Sequence, residues 1–116
     1  MARIVVTGGA GFLGSHIADA LSQEGHDVVI FDNKNSEYAS GSQEVIIGDI
    51  RDVDVVDTAL AGADYVYHLA ALADLNEAKE KPLESIDINI RGTAVLLEAA
   101  IKHNVKRFIF GSSVYV

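Results

Sequence analysis

Three glycines at fixed spacing, Gly8, Gly11 and Gly14, sit in the run Thr7-Gly8-Gly9-Ala10-Gly11-Phe12-Leu13-Gly14, directly after the apolar residues Ile4-Val5-Val6. Placed between a strand and a helix, such a turn can hold a phosphate. Gly8 permits a tight turn off the strand, Gly11 leaves room for a pyrophosphate where a Cβ would intrude, and Gly14 permits close packing of the first helix. The free N–H groups at that helix's start, from Phe12 and Leu13 onward, carry partial positive charge toward an anion. A glycine cluster alone also marks ordinary loops. Here a second signal supports it: Asp32 ends the next apolar run, Val28-Val29-Ile30-Phe31, and lies 18 residues beyond Gly14. A carboxylate there can bind both hydroxyls of an adenosine ribose, and together the two features predict a dinucleotide site.

The elements that must position these residues follow from periodicity. Arg3–Thr7 and Val28–Asp32 read as strands buried on both faces, and Phe12–Glu24 as a helix with Leu13, Ile17, Ala20 and Leu21 on its apolar stripe, stopped by Gly25. Residues 33 to 42 form a polar loop. A short strand covers Glu44–Ile47. Asp52 or a neighbour caps a helix whose stripe is Val53, Val56, Ala59 and Leu60, ending at Gly62. Tyr65–Ala70 is the fourth strand and Arg107–Gly111 the fifth. Between them Pro82 opens a helix reaching about Asn104, with Ile86, Ile90, Thr93, Leu97, Ala100 and Ile101 facing the sheet and a second apolar set, Ile88, Val95 and Leu96, left over. Alternating strands and helices joined by right-handed crossovers predict an α/β fold: a Rossmann-type doubly wound parallel sheet of five strands in the order 3-2-1-4-5.

Composition narrows the function classes. The 116 residues suit one domain, residues 1–116, and a hydrophobic fraction of 49% with a single proline suits a folded chain. A net charge of −8 opposes binding to nucleic acid or an anionic membrane surface. It leaves a nucleotide cofactor possible, because backbone N–H groups can hold its phosphates. The absence of cysteine excludes disulfides, thiolate metal sites and cysteine nucleophiles, and no metal site is expected. With neither a signal-peptide pattern nor an apolar run long enough for a membrane span, the expected location is the cytoplasm.

Six short blocks in order carry a resemblance that covers the whole chain: Thr7 to Gly14, Asp32-Asn33, Gly48-Asp49-Ile50-Arg51, His68-Leu69-Ala70-Ala71, Asn89-Ile90-Arg91-Gly92-Thr93 and Phe108-Ile109-Phe110-Gly111-Ser112-Ser113. Together they resemble the extended short-chain dehydrogenase/reductase family of nucleotide-sugar epimerases and dehydratases. The resemblance implies NAD as cofactor and a nucleotide sugar as substrate of the complete enzyme. By the same resemblance Asp49 accepts from the adenine amino group and Ile50 lines the ring, although Asp49 also suits a turn or helix cap. Leu69, Ala70 and Ala71, followed by Leu72, leave the fourth strand at the switch point and make room for ribose and pyrophosphate. Asn89 matches a family asparagine that orders the active-site end of the sheet, a reading that stands beside a purely structural backbone hydrogen bond.

Ser113 matches the family's active-site Ser or Thr, which holds the reacting hydroxyl, and Ser112 is its structural neighbour. His68 lies in an apolar strand and reads as a core histidine with no proton-transfer role. Where some epimerases of the family carry a lysine beyond the histidine block, this chain has Ala73 and Asp74. The family's base is a Tyr lowered in pKa by a Lys four residues later, and no Tyr-x-x-x-Lys occurs here: Tyr38, Tyr65 and Tyr67 are followed at that distance by Ser42, Leu69 and Ala71, and Tyr115 by no residue. The resemblance therefore implies an enzyme's N-terminal NAD-binding portion that is inactive by itself, continuing natively past Val116 into substrate-binding sequence. The other readings are a non-catalytic NAD-binding sensor or regulatory module and a structural fragment with a vestigial cofactor site. Uncovered apolar helix surface and an edge strand predict a homodimer or other homo-oligomer.

Overall fold

The computed structural model describes residues 1–37, 39–71 and 79–112. The strands are β1 (Arg3–Thr7), β2 (Asp27–Asp32), β3 (Glu44–Ile47), β4 (Tyr65–His68) and β5 (Arg107–Phe110), and the α-helices are α1 (Phe12–Gln23), α2 (Val53–Leu60), α3 (Pro82–Ile86) and α4 (Thr93–Lys102). A π-helical segment, Asp87–Gly92, joins α3 to α4. The strands form one sheet in the order β3-β2-β1-β4-β5, with every pair parallel. This is the doubly wound order read from the sequence.

Both faces of the sheet are buried, which is why its central strands are continuously apolar. Val5 of β1, Val29 and Phe31 of β2 and Val66 of β4 pack with Val56, Ala59 and Leu60 of α2 and Leu96, Ala99 and Ala100 of α4. The alternate residues Ile4, Val6, Val28 and Ile30 point the other way, onto Ala18, Ile17 and Leu21 of α1. Asp52 caps α2 by accepting from the Asp54 and Val55 backbone N–H groups at 3.1 and 3.3 Å. The strands end two residues before the sequence boundary at β4 and one before it at β5; beyond β4, Leu69 to Ala71 leave the ladder and line a cleft.

Two stripes differ from expectation. On α1 the buried residues are Gly14, Ser15 and Ala18, whereas Leu13 and Ala20 are exposed. In the segment after Pro82 the expected face holds at Thr93, bonded to His68 of β4, and at buried Ala100, but not at its larger members: Ile86, Ile90, Leu97 and Ile101 lie exposed, while Leu96 is fully buried with Ile88 and Val95 packed behind it. The physical reason is close approach. A Cβ on Gly92 would stand 2.5 Å from Cδ1 of Ile50, so the face carrying Gly92, Ala99 and Ala100 is the one that can reach the sheet. The long aliphatic residues, read as core, occupy the outer face instead. Val53 is likewise exposed at the start of α2.

Candidate functional site

The turn after β1 is built by steric necessity. Gly8 has φ +72°, a left-handed conformation that disfavours any side chain, and a Cβ there would lie 2.9 Å from the Ala70 nitrogen. A Cβ on Gly14 would lie 2.1 Å from the Gly8 carbonyl oxygen, so the close contact it permits is with the turn itself. Gly11 differs from both. A Cβ there would meet nothing nearer than the Gly8 oxygen at 3.3 Å, and the space above it belongs to a cleft of about 470 Å³. Gly11 is also the N-cap of α1, which has no side-chain cap, so the first-turn N–H groups are left for another acceptor.

The cleft opens at the carboxyl ends of the strands, where β1 separates β2 from β4 and the chain's direction of winding reverses. Nine residues expected at a cofactor site line it: Gly8, Gly11, Asp32, Asn33, Asp49, Ile50, Leu69, Ala70 and Ala71. Phe12, Leu13, Gly14 and Asn89 do not. Phe12 and Leu13 turn their side chains outward, 82% and 58% exposed. Ser113, with Leu72, Ala73, Asp74, Tyr38 and Tyr115, lies outside the described residues.

Asp32 is a buried carboxylate that ties the glycine turn to the residues just past β2. It accepts from the Ala10 N–H at 3.0 Å and the Lys34 N–H at 3.3 Å, which fixes it beside the glycine turn while keeping acceptor capacity on both oxygens. Just past the end of the neighbouring strand β3, Asp49 is gripped by Arg51, whose guanidinium holds its carboxyl below the usual carboxylate range. Arg51 in turn reaches Asp87 at 3.0 Å. Among the described residues, Lys34 and Arg51 are the cationic side chains lining the cleft, set against Asp32, Asp49 and Glu84.

His68 organises the wall behind these groups. Thr7 Oγ1 accepts from the Leu69 and Ala70 N–H groups at 3.0 and 3.1 Å, so its own hydrogen goes to His68 Nδ1, 2.7 Å away. That leaves the imidazole proton on Nε2, which donates to Thr93 Oγ1 at 2.8 Å, and Thr93 donates to the Asn89 carbonyl at 2.7 Å. Burial pushes the His68 pKa down to about 4, and the ring is neutral at physiological pH. The histidine is thus a satisfied core group, as its strand position predicted. Asn89 takes part through its backbone carbonyl, while its side-chain amide donates to Ser85 Oγ at 3.3 Å.

Pattern reading missed Phe31, Lys34, Gly48, Arg51, Glu84 and Ile88 as lining residues. Gly48 and Arg51 lie within a block already quoted but were given no site role, and Phe31 and Lys34 flank Asp32-Asn33 by one position each. Glu84 and Ile88 reach the cleft only because α3 and the π segment fold over it, and no local signal marks them.

Comparison with known proteins is consistent with this geometry. Residues 4–116 match the model of the NAD dependent epimerase/dehydratase family. A UDP-glucose 4-epimerase of Halalkalibacterium halodurans is 37% identical over 95% of this chain, which spans 34% of that relative's length. A 3 beta-hydroxysteroid dehydrogenase/Delta 5-->4-isomerase of Mycobacterium tuberculosis is 38% identical over 97% of the chain and 32% of its own length. Among solved structures, the Thermus thermophilus UDP-glucose 4-epimerase in complex with NAD superposes with a TM-score of 0.89 at 33% identity, covering 96% of this chain and 37% of that one. The chain thus spans about a third of the length of these relatives.

Proposed function

The chain belongs to the NAD dependent epimerase/dehydratase family, and we propose that residues 1–116 are the NAD-binding portion of a nucleotide-sugar epimerase or dehydratase. The observation that carries this reading is the bare position at Gly11, on a cleft lined by Asp32 at the end of β2 and by Asp49 and Ile50 just past β3. A pyrophosphate fits over the turn, held by Gly11 and the uncapped N–H groups of Phe12 and Leu13. Asp32 accepts from the ribose hydroxyls, Asn33 flanks it, Ile50 covers the adenine and Asp49 accepts from its amino group. Leu69, Ala70 and Ala71 leave room for the rest of the dinucleotide.

When bound, NAD supplies hydride transfer at a sugar carbon. This chain's own residues position it and exclude water from it. Ser113 holds the reacting hydroxyl for proton transfer, but a serine without a neighbouring base is a poor proton acceptor. The 116 residues contain no Tyr-x-x-x-Lys pair, and general acid–base catalysis contributes roughly 10²–10⁴-fold. The isolated polypeptide is accordingly a binding module with no turnover near that of a complete enzyme.

Calorimetric titration with NAD and NADP tests the assignment. Asp32 would repel a 2′-phosphate, and the residues after it, Asn33-Lys34-Asn35, include no arginine to offset that charge. NAD is expected to bind more tightly. Equal or tighter binding of NADP would remove Asp32 from the ribose site.

The outer face of the segment after Pro82 presents Leu83, Ile86, Ile90, Leu97 and Ile101 as one exposed apolar stripe. A stripe of this kind suits a second copy of the chain across a two-fold axis. Light scattering at micromolar concentration is expected to give about twice the 12.4 kDa chain mass. A monomer mass that does not rise with concentration would exclude self-association through this face.

A further inference from the structure

We propose that Arg51 is a positioning residue that prepares the adenine end of the cleft, clamping the Asp49 carboxylate so that one acceptor position remains for the exocyclic amino group of a purine. The inference rests on the dinucleotide reading above and assigns a role to a residue outside it. The Arg51 backbone N–H donates to Asp49 Oδ1 at 2.9 Å. Its Nε is shared between Oδ1 at 2.9 Å and Oδ2 at 3.1 Å, and Nη2 donates to Oδ2 at 2.6 Å. An ionised carboxylate offers about four acceptor positions; the backbone N–H takes one on Oδ1, Nη2 takes one on Oδ2, and the single Nε hydrogen, divided between the two oxygens, takes about one more, which leaves about one open.

The clamp is also anchored. Arg51 Nη1 donates to Asp87 Oδ2 at 3.0 Å, across 36 positions of sequence, and Asp87 begins the π segment that places Ile88 on the cleft. The planar guanidinium fork therefore fixes the plane of the Asp49 carboxylate against a second element, which a flexible ammonium could not do. Two carboxylates neutralise Arg51, so it offers little net charge to a passing anion. The remaining acceptor position on Asp49 matches a donor on the ligand. Adenine presents an amino group there. Hypoxanthine presents a carbonyl oxygen, which a carboxylate repels.

The experiment compares calorimetric affinities for NAD and nicotinamide hypoxanthine dinucleotide in the wild-type chain, Arg51→Gln, Arg51→Lys and Asp87→Asn, with thermal unfolding of each as a check of the fold. The wild type is expected to prefer the adenine form by about tenfold, the size of one hydrogen bond to a charged group. Arg51→Gln should bring the ratio close to one, Arg51→Lys should restore only part of it, and Asp87→Asn should lower it less than Arg51→Gln does. If Arg51→Gln does not fold, Asp87→Asn decides through the same ratio. A ratio unchanged in a folded variant would reduce Arg51 to a structural ion pair, and a ratio that rises would show that Arg51 sequesters Asp49 instead of preparing it. Failure of the wild type to bind either dinucleotide would defeat the cofactor reading itself, and this inference with it.

Discussion

Replacing Gly11 with valine is expected to weaken NAD binding by at least about 100-fold, equivalent to roughly 2.7 kcal/mol, with the fold retained. Gly11 is the glycine of the turn at which binding and folding separate. Its backbone lies at φ −80° and ψ 180°, an extended conformation that a β-branched residue adopts readily. An added Cβ would meet the Gly8 oxygen at 3.3 Å, a contact that a small shift relieves, and the remaining bulk would fill the cleft. The lost glycine freedom of the unfolded chain offsets part of any strain. Gly8 and Gly14 offer no such separation, since one is left-handed and the other stands 2.1 Å from a backbone oxygen at its added Cβ. Calorimetry and thermal unfolding of Gly11→Val check both halves. Unchanged affinity in a folded variant would make the turn merely structural.

The largest stability effect is expected on α4, where Leu96→Ala should cost about 2–5 kcal/mol and the neighbouring Leu97→Ala less than about 1 kcal/mol. Leu96 is fully buried among β-sheet and α2 residues, so its truncation leaves a cavity that close-packed neighbours cannot fill. Leu97 is 43% exposed and its loss is met by solvent. Urea unfolding of the two variants, one residue apart, reports which face of the helix meets the core. A larger loss for Leu97→Ala would restore the orientation that hydrophobic periodicity alone suggests.

That contrast shows where the sequence was legible. The glycine turn, Asp32 and the strand order were readable because each depends on local geometry or on the alternation of elements, and nine expected residues do meet at one cleft. The helix faces were harder. Residues 83–101 contain two apolar sets, and volume points to the wrong one: the bulky Ile86, Ile90 and Ile101 lie outside, while Gly92 and Ala99 lie inside with Leu96, beside Ala100, the buried member of the expected stripe. Small residues in phase with a leucine were the signal of close packing. On α1 the same rule holds, with Gly14, Ser15 and Ala18 buried in place of Leu13. The Asp49–Arg51–Asp87 linkage joins residues 36 positions apart and could not be read from either block alone.

Amide chemical-shift mapping during an NAD titration tests the central claim most directly. If the cleft is the NAD site, the largest shifts fall on Gly8 and Gly11, on Asp32 and Asn33, on Asp49 and Ile50, and on Leu69 to Ala71, with little change along β3 or the exposed face of α4. No shifts at saturating NAD, or shifts confined to the groove between α2 and α4 lined by Asp54, Asp57 and Glu98, would contradict it.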